Sequence, residues 1–277
     1  MILAIDTGGT KTLMALVSDD GSIQRSTKIQ TPKDLNEYRV AVEDAIRNDF
    51  DDDEFDTVVL ALPGVVEGGI AIWCDNLGWR DFDAGTFLVG LFPDKQVFVE
   101  NDANLAGLAE AIILSGQNSD MVTSLYLTIS TGIGSGVIVN GVLSKNSIRN
   151  CEAGHMVLEY GGKYEEWEDF ASGKAILEHY GMVGTEIKEE GIWRDIADRI
   201  SRGFLVLIPT ILPDVVVVGG SMGTHFERYA GYLDMILSEH LPSNFKKPKI
   251  VKAVNPEEAV IYGCYYYAKD QLTSRTA

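Results

Sequence analysis

No apolar run in this 277-residue chain is long enough to cross a bilayer, so a membrane-spanning role is not expected. Basic residues are scarce: 23 Lys and Arg stand against 41 Asp and Glu, a net charge of −18. Nucleic acids need a basic footprint, and this balance disfavours them as partners. An anionic nucleotide would have to be held by backbone dipoles and a metal cation. Cysteine is rare too. Cys74, Cys151 and Cys264 are far apart, odd in number and in no Cys-x-x-Cys pair. They give no metal framework and suggest a reducing compartment. The opening Met1-Ile2-Leu3-Ala4-Ile5 is interrupted by Asp6 and lacks the basic region of a signal peptide, so a cytoplasmic protein is expected. Low-complexity tracts and flexible linkers are absent. What remains is a soluble globular composition, with a length that suits two domains.

The most informative feature present is a repeat. Leu3-Ala4-Ile5-Asp6-Thr7-Gly8-Gly9-Thr10-Lys11-Thr12 and Leu127-Thr128-Ile129-Ser130-Thr131-Gly132-Ile133-Gly134-Ser135-Gly136 look like copies of one unit. Each is a β-rich run, a glycine-rich turn and a second apolar stretch. Glycine admits positive φ and close approach of a ligand to the backbone. Backbone N–H groups with threonine hydroxyls then make an anion site without cationic side chains.

The pattern around each turn is α/β. The first half reads as strands Ile2–Ile5, Thr12–Ser18 and Ile23–Ile29, and a helix after Pro32 with Tyr38, Val42, Ala45 and Ile46 at helical spacing. Strands Thr57–Leu62 and Val97–Val99 follow, then a helix over Ala103–Leu114. The second half repeats the order: strands Val122–Ile129 and Ile133–Asn140, a helix with Ile192, Ile196, Ile200, Leu207 and Ile211 on one stripe, and a strand Asp214–Val218. A last helix is expected from Asn255-Pro256-Glu257 to about Gln271. Residues 144–171 are expected to be irregular, and loops of that length are usually functional or disordered. The expected domains are 1–115, completed by the C-terminal helix 256–277, and 116–255.

Six segments, in order, resemble the ROK family of sugar kinases within the actin-like ATPase superfamily. They are Asp6-Thr7-Gly8-Gly9-Thr10-Lys11, Pro63-Gly64, Glu100-Asn101-Asp102-Ala103-Asn104, Thr131-Gly132-Ile133-Gly134-Ser135-Gly136, Glu152-Ala153-Gly154-His155 and Val218-Gly219-Gly220-Ser221. The resemblance spans nearly the whole chain. It implies two actin-like (RNase H-like) domains with an interdomain cleft, a kinase using ATP and Mg2+, a sugar and a nucleotide as partners, and a homodimer.

Each residue has a structural reading beside the functional one. Asp6 is a turn aspartate, or by resemblance the group that orients magnesium, through water. Gly8, Gly9, Thr10 and Lys11, with Thr131, Gly132 and Gly134, are tight-turn residues, or the two sides of a phosphate clamp. Gly219 and Gly220 terminate a strand, or lie against the adenosine. Asp102 at a strand-to-helix junction suits a helix cap. Sugar phosphorylation also needs a base for the attacking hydroxyl, and kinases commonly use aspartate. The resemblance assigns Asp102 that role and Asn101 to the sugar. It adds Glu152, His155 and Glu168, the last from Trp167-Glu168-Asp169-Phe170-Ala171-Ser172-Gly173, as groups that fix several hydroxyls at once. Gly64, and Asn76 in Asn76-Leu77-Gly78-Trp79, resemble further substrate-side loops.

The chain departs from the family pattern at one place. Many ROK proteins hold a zinc ion with this histidine and three cysteines, whereas Tyr160-Gly161-Gly162-Lys163-Tyr164-Glu165-Glu166-Trp167 contains none. Tetrahedral zinc needs four good ligands, so no zinc site is expected. The first substrate expectation is glucose, with an N-acetylated amino sugar (N-acetylmannosamine or N-acetylglucosamine) as the alternative. A non-catalytic sugar sensor and a chaperone-like ATPase are the other classes.

Overall fold

The structure is a computed structural model that describes residues 1–51, 54–116, 121–144, 152–255 and 258–276. It divides into two compact units: Met1–Ala109 with Glu258–Ala277, and Glu110–Glu257.

In the first unit, β1 (Ile2–Thr7), β2 (Lys11–Val17) and β3 (Ile23–Gln30) form an antiparallel meander. The Asp34 carboxylate caps α1 (Leu35–Asp49) by accepting from the N–H groups of Asn36 and Glu37. β4 (Thr57–Leu62) pairs parallel with β1. All six of its residues are buried, as expected of a parallel strand covered on both faces. A small antiparallel sheet follows, made of β5 (Val65–Glu67), β6 (Ile70–Cys74) and β7 (Trp79–Asp83). α2 (Ala84–Leu91) leads to β8 (Gln96–Asn101), parallel to β4, and α3 (Asp102–Ser115) starts directly from its end. The sheet order is β3-β2-β1-β4-β8.

The second unit repeats this frame. β9 (Thr123–Ile129), β10 (Ile133–Val139) and β11 (Val142–Leu143) are the meander. Next come a hairpin of β12 (Val157–Tyr160) and β13 (Lys163–Glu166), α4 (Trp167–Ala171), α5 (Gly173–Tyr180) and the long α6 (Glu190–Ile211). β14 (Val215–Gly219), α7 (Gly220–Gly223), α8 (Phe226–His240) and β15 (Lys249–Lys252) complete it. The order β11-β10-β9-β14-β15 has the same sense, with β14 parallel to both neighbours. α9 (Ala259–Thr276) then packs on β1 and β4 of the first unit. Pro256 and Glu257, where the last helix was expected to begin, lie outside the described residues.

The expectation of an irregular stretch over 144–171 is corrected. Its described part holds a 3-10 turn, Ala153–His155, then β12, β13 and α4. Aromatic and cationic packing orders it. The Tyr160 ring stacks on Phe170 at 4.6 Å, and the Arg199 guanidinium lies 5.1 Å from the Tyr160 centroid. Arg199 is only 8% exposed; it donates to Asp195 Oδ2 (2.5 Å) and to the Phe170 carbonyl (3.2 Å). Trp167, fully buried, donates from Nε1 to the Arg199 carbonyl.

Trp167 lies flat against α6 at Gly203, where an added Cβ would fall 2.3 Å from the indole ring. Alanine is normally better than glycine in a helix by about 1 kcal/mol. Here overpacking should dominate, and Gly203→Ala should destabilise the protein by roughly 1–3 kcal/mol. Urea denaturation would show a lower midpoint; a raised midpoint would contradict this packing.

Candidate active site

Parallel pairing gathers the ends of β1, β4 and β8 at one edge of the first sheet. Asp6 lies beside Ala61, and Leu62 beside Asn101. The turn after Asp6 closes with Gly8 N–H donating to the Lys11 carbonyl at 3.0 Å. Its flanks are tied down: the buried Thr7 hydroxyl bonds the Tyr38 hydroxyl at 2.7 Å, and Thr31 N–H donates to the Thr10 carbonyl. Lys33 Nζ donates to the carbonyls of Gly9 and Asn76, joining the turn to the loop at Asn76.

Gly64 has φ of +80°, and a Cβ there would fall 2.1 Å from the Trp73 carbonyl, so only glycine fits. Its carbonyl accepts from Asn101 Nδ2 at 2.8 Å. Asn101 Oδ1 accepts from Asn104 N–H at 2.9 Å, so Asn101 takes the capping position of α3. The buried Glu100 accepts from Asn101 N–H and Asn104 Nδ2, both at 3.0 Å. Asp102 is thereby relieved of the capping role; its Oδ1 accepts from Ala103 N–H at 2.7 Å.

Both aspartates resist ionisation. Burial pushes the Asp6 pKa up to about 7, the negative charge of Asp102 adds to it, and Lys28 opposes it. Burial pushes Asp102 up to about 6 against the N–H groups of Ala103 and of its own backbone. Asp6 offers hard carboxylate oxygens of the kind magnesium takes, and a cation beside it would offset the cost of its charge.

In the second unit the turn between β9 and β10 closes with Ser130 N–H donating to the Gly132 carbonyl at 2.9 Å. Glu168, at the start of α4, lodges Oε2 against this turn and accepts from Ile133 N–H at 3.0 Å. A Cβ at Gly132 or at Gly154 would each fall 2.6 Å from that oxygen. Glycine at both positions therefore makes room for the carboxylate. Glu152 precedes the Ala153–His155 turn, and its carbonyl accepts from His155 N–H. His155 Nδ1 bonds Glu166 Oε2 at 2.6 Å. Desolvation lowers the imidazole pKa, but the Glu166 bond and the charges of Glu168, Glu166 and Glu152 outweigh it, leaving the pKa raised. One donor atom each from His155, Glu166 and Glu168 lie within 4.8 Å of one another. That is one ligand fewer than structural zinc takes. Cys151 lies outside the described residues.

A cavity of about 810 Å3 opens beside the same turn. Ser130, Thr131, Lys174, Gly220 and Ser221 line it with polar groups; Ile176, Leu177, Val183 and Met222 line it with apolar ones. Gly219 ends β14 opposite Thr128, and Gly220 begins α7. Gly134 sits within β10, paired with Thr128. The site residues expected from sequence thus fall into two sets, each gathered within its own unit. Lys33, Glu100 and Glu166, which brace these groups, were not expected, and neither were Ser130, Lys174 and Ser221 at the cavity. Glu100 adjoins the recognised Asn101-Asp102 pair. Lys33 and Glu166 carry no local signal, because only the fold brings them to Gly9 and His155.

The ROK family model matches residues 2–271. The chain belongs to the ROK family. The chain is 33% identical over 179 residues to a polyphosphate glucokinase of Mycobacterium tuberculosis, a match that covers 63% of this chain and 60% of that protein. Two relatives match almost end to end. An N-acetylmannosamine kinase of Haemophilus influenzae is 26% identical over 99% of this chain and 97% of its own. A glucokinase of Thermotoga maritima is 27% identical over 98% of each. The crystal structure of a ROK family glucokinase from Streptomyces griseus in complex with glucose and AMPPNP superposes with a TM-score of 0.81 at 21% identity, covering 97% of this chain and 99% of that one. The α/β architecture is therefore the actin-like fold of ROK sugar kinases.

The raised carboxyl pKa of Asp6 has a consequence for stability. A carboxyl with a higher pKa folded than unfolded binds its proton more tightly in the native state. Protonation keeps the fold free of the cost of that charge below about pH 4, and the relief is lost as pH rises through about 7. In metal-free buffer Asp6→Asn should stabilise the protein at about pH 8 by on the order of 1–3 kcal/mol and have little effect near pH 4. Thermal melts across that range test this; destabilisation at the high-pH end would contradict it.

Proposed function

We propose that this chain is an ATP-dependent sugar kinase that phosphorylates a hexose hydroxyl, with glucose as the first substrate. The observation that carries the reading is Asp102. It stands at the junction of β8 and α3, held next to a capping Asn101, with a pKa pushed up to about 6. A carboxylate of that basicity is still largely ionised near neutral pH and is a better proton acceptor than an ordinary aspartate. In the proposed reaction Asp102 accepts the proton of the sugar hydroxyl as its oxygen attacks the γ-phosphorus of ATP; the bond from that phosphorus to the bridging oxygen breaks, and ADP leaves with the electron pair.

The remaining roles follow from the groups each residue offers. Asn101, Glu152, His155 and Glu168 would hold sugar hydroxyls, with Gly64 and Asn76 shaping the substrate side. The N–H groups of the turns at Gly8, Gly9, Thr10 and Lys11, and at Thr131, Gly132 and Gly134, would meet charge on the phosphates, where most of the catalysis of phosphoryl transfer lies. Magnesium, when bound, would be held by Asp6 through water and would supply neutralisation of phosphate charge. The cavity bounded by Thr131, Gly220 and Ser221 at its polar part and by Ile176, Leu177 and Met222 at its apolar part suits a nucleoside with phosphates better than a bare polyphosphate. The glucose preference is supported by the two relatives named as glucokinases.

The decisive experiment measures turnover of purified wild type and Asp102→Asn with glucose, ATP and magnesium. The variant should lose roughly a hundred- to ten-thousand-fold in kcat while still binding the sugar. Near-normal turnover would remove Asp102 as the base. Glu168→Ala should raise KM for the sugar more than KM for ATP; a smaller rise in the ATP KM is expected too, because Glu168 also holds the Ile133 N–H of the turn assigned to the phosphates. A protein that binds sugar tightly but transfers nothing would instead be a sensor.

A further inference from the structure

The His155–Glu166 contact is not accounted for by the roles above. Nδ1 of a histidine and a carboxylate oxygen 2.6 Å apart form a charge-assisted hydrogen bond in which the ring N–H donates. Glu166 is the last residue of β13, and its cross-strand neighbour is Val157, two residues beyond His155. The hairpin therefore delivers this carboxylate to the ring. The bond is anchored on both sides: Tyr160, at the other end of β12, is stacked on Phe170, and Trp167 N–H, next to Glu166, donates to the Met156 carbonyl at 2.8 Å.

We infer that Glu166 is a positioning residue for sugar recognition: it holds the proton of the neutral His155 ring on Nδ1 and fixes the ring plane, so that Nε2 is the nitrogen that meets a sugar hydroxyl. The inference rests on the sugar-kinase reading for its ligand, but not for the tautomer. A neutral imidazole has one donor and one acceptor nitrogen, and the partner of one sets the role of the other. With Glu166 on Nδ1, Nε2 accepts a hydroxyl proton when the ring is neutral. When the ring is protonated, Nε2 donates to a hydroxyl oxygen. Among the described residues, the charged groups that act on the ring are Glu152 before its own turn, Glu166 on β13 and Glu168 on α4, all acidic, and together they favour its protonated form. Carboxylates fix the tautomer and ring orientation of metal-ligating histidines in the same way.

Glu166→Gln tests this, because glutamine keeps the shape and loses the charge. Glu166 is 42% exposed at its side chain, so the variant should fold, and its melting temperature serves as the control. Nitrogen NMR of 15N-histidine-labelled protein reads the tautomer directly, and the chain has only four histidines to resolve. Wild-type His155 should be the Nδ1-protonated tautomer above its pKa; in the variant the glutamine can pair with either tautomer, so the other should become populated and the ring should titrate at lower pH. In kinetics, KM for the sugar should rise about tenfold with KM for the donor unchanged. Glu166→Asp should retain part of the wild-type behaviour. An unchanged tautomer and unchanged sugar KM would overturn the inference, as would stoichiometric metal bound at His155 in the purified protein. Absence of any phosphorylation, with the tautomer shift intact, would sink the kinase reading and leave the pairing standing.

Discussion

Parallel strands end together, and the candidate groups of both units depend on that constraint. Because β1, β4 and β8 run the same way in adjacent register, Asp6, Gly64, Asn101 and Asp102 meet at one sheet edge. The same rule in the second unit sets the end of β9, with Thr131 just beyond it, beside the end of β14, with Gly220 just beyond it. Ligands of open α/β sheets bind outside the carboxyl ends of the strands for this reason. The gathering has a cost, seen in the two aspartates, whose charges are opposed by burial and, at Asp6, also by the neighbouring Asp102.

The second unit solves a different problem. Its Glu168 carboxylate sits against a backbone turn. Glu168 is held by the Ile133 N–H and by the space left at Gly132 and Gly154. His155 is held by Glu166. Behind both stands an aromatic and cationic cluster, Tyr160, Phe170, Trp167 and Arg199, which orders the segment between the 3-10 turn and α5. Order here comes from side-chain packing at long sequence separation.

That difference explains what could be read from the sequence. The two turns, the parallel core strands and the Asn101-Asp102 junction were legible because each carries a local pattern: glycine after a β-rich run, unbroken valine and leucine, polar residues at a helix start. Glu152, His155 and Glu168 were legible through their resemblance to a known family. β12 and β13 were not, since Lys163-Tyr164-Glu165-Glu166 has no alternation of apolar and polar residues and the partners of Tyr160 on β12, Phe170 and Arg199, lie on later helices. The sheet of β5, β6 and β7 escaped for a related reason: its strands are short, and their buried residues Val66, Ala71, Cys74, Trp79 and Phe82 are too sparse to set a period. The helix α5 was also missed, because it is only eight residues long.

The central claim is phosphoryl transfer from a nucleotide to a sugar. Phosphorus NMR of the purified protein with magnesium, a single sugar and either ATP or inorganic polyphosphate reads the bond that forms and the bond that breaks in one spectrum. The account predicts a new sugar-phosphate resonance and stoichiometric ADP with glucose and ATP. Transfer only from polyphosphate would contradict the donor, transfer only to N-acetylmannosamine or N-acetylglucosamine would contradict the acceptor, and ADP with inorganic phosphate but no sugar phosphate would contradict the kinase itself.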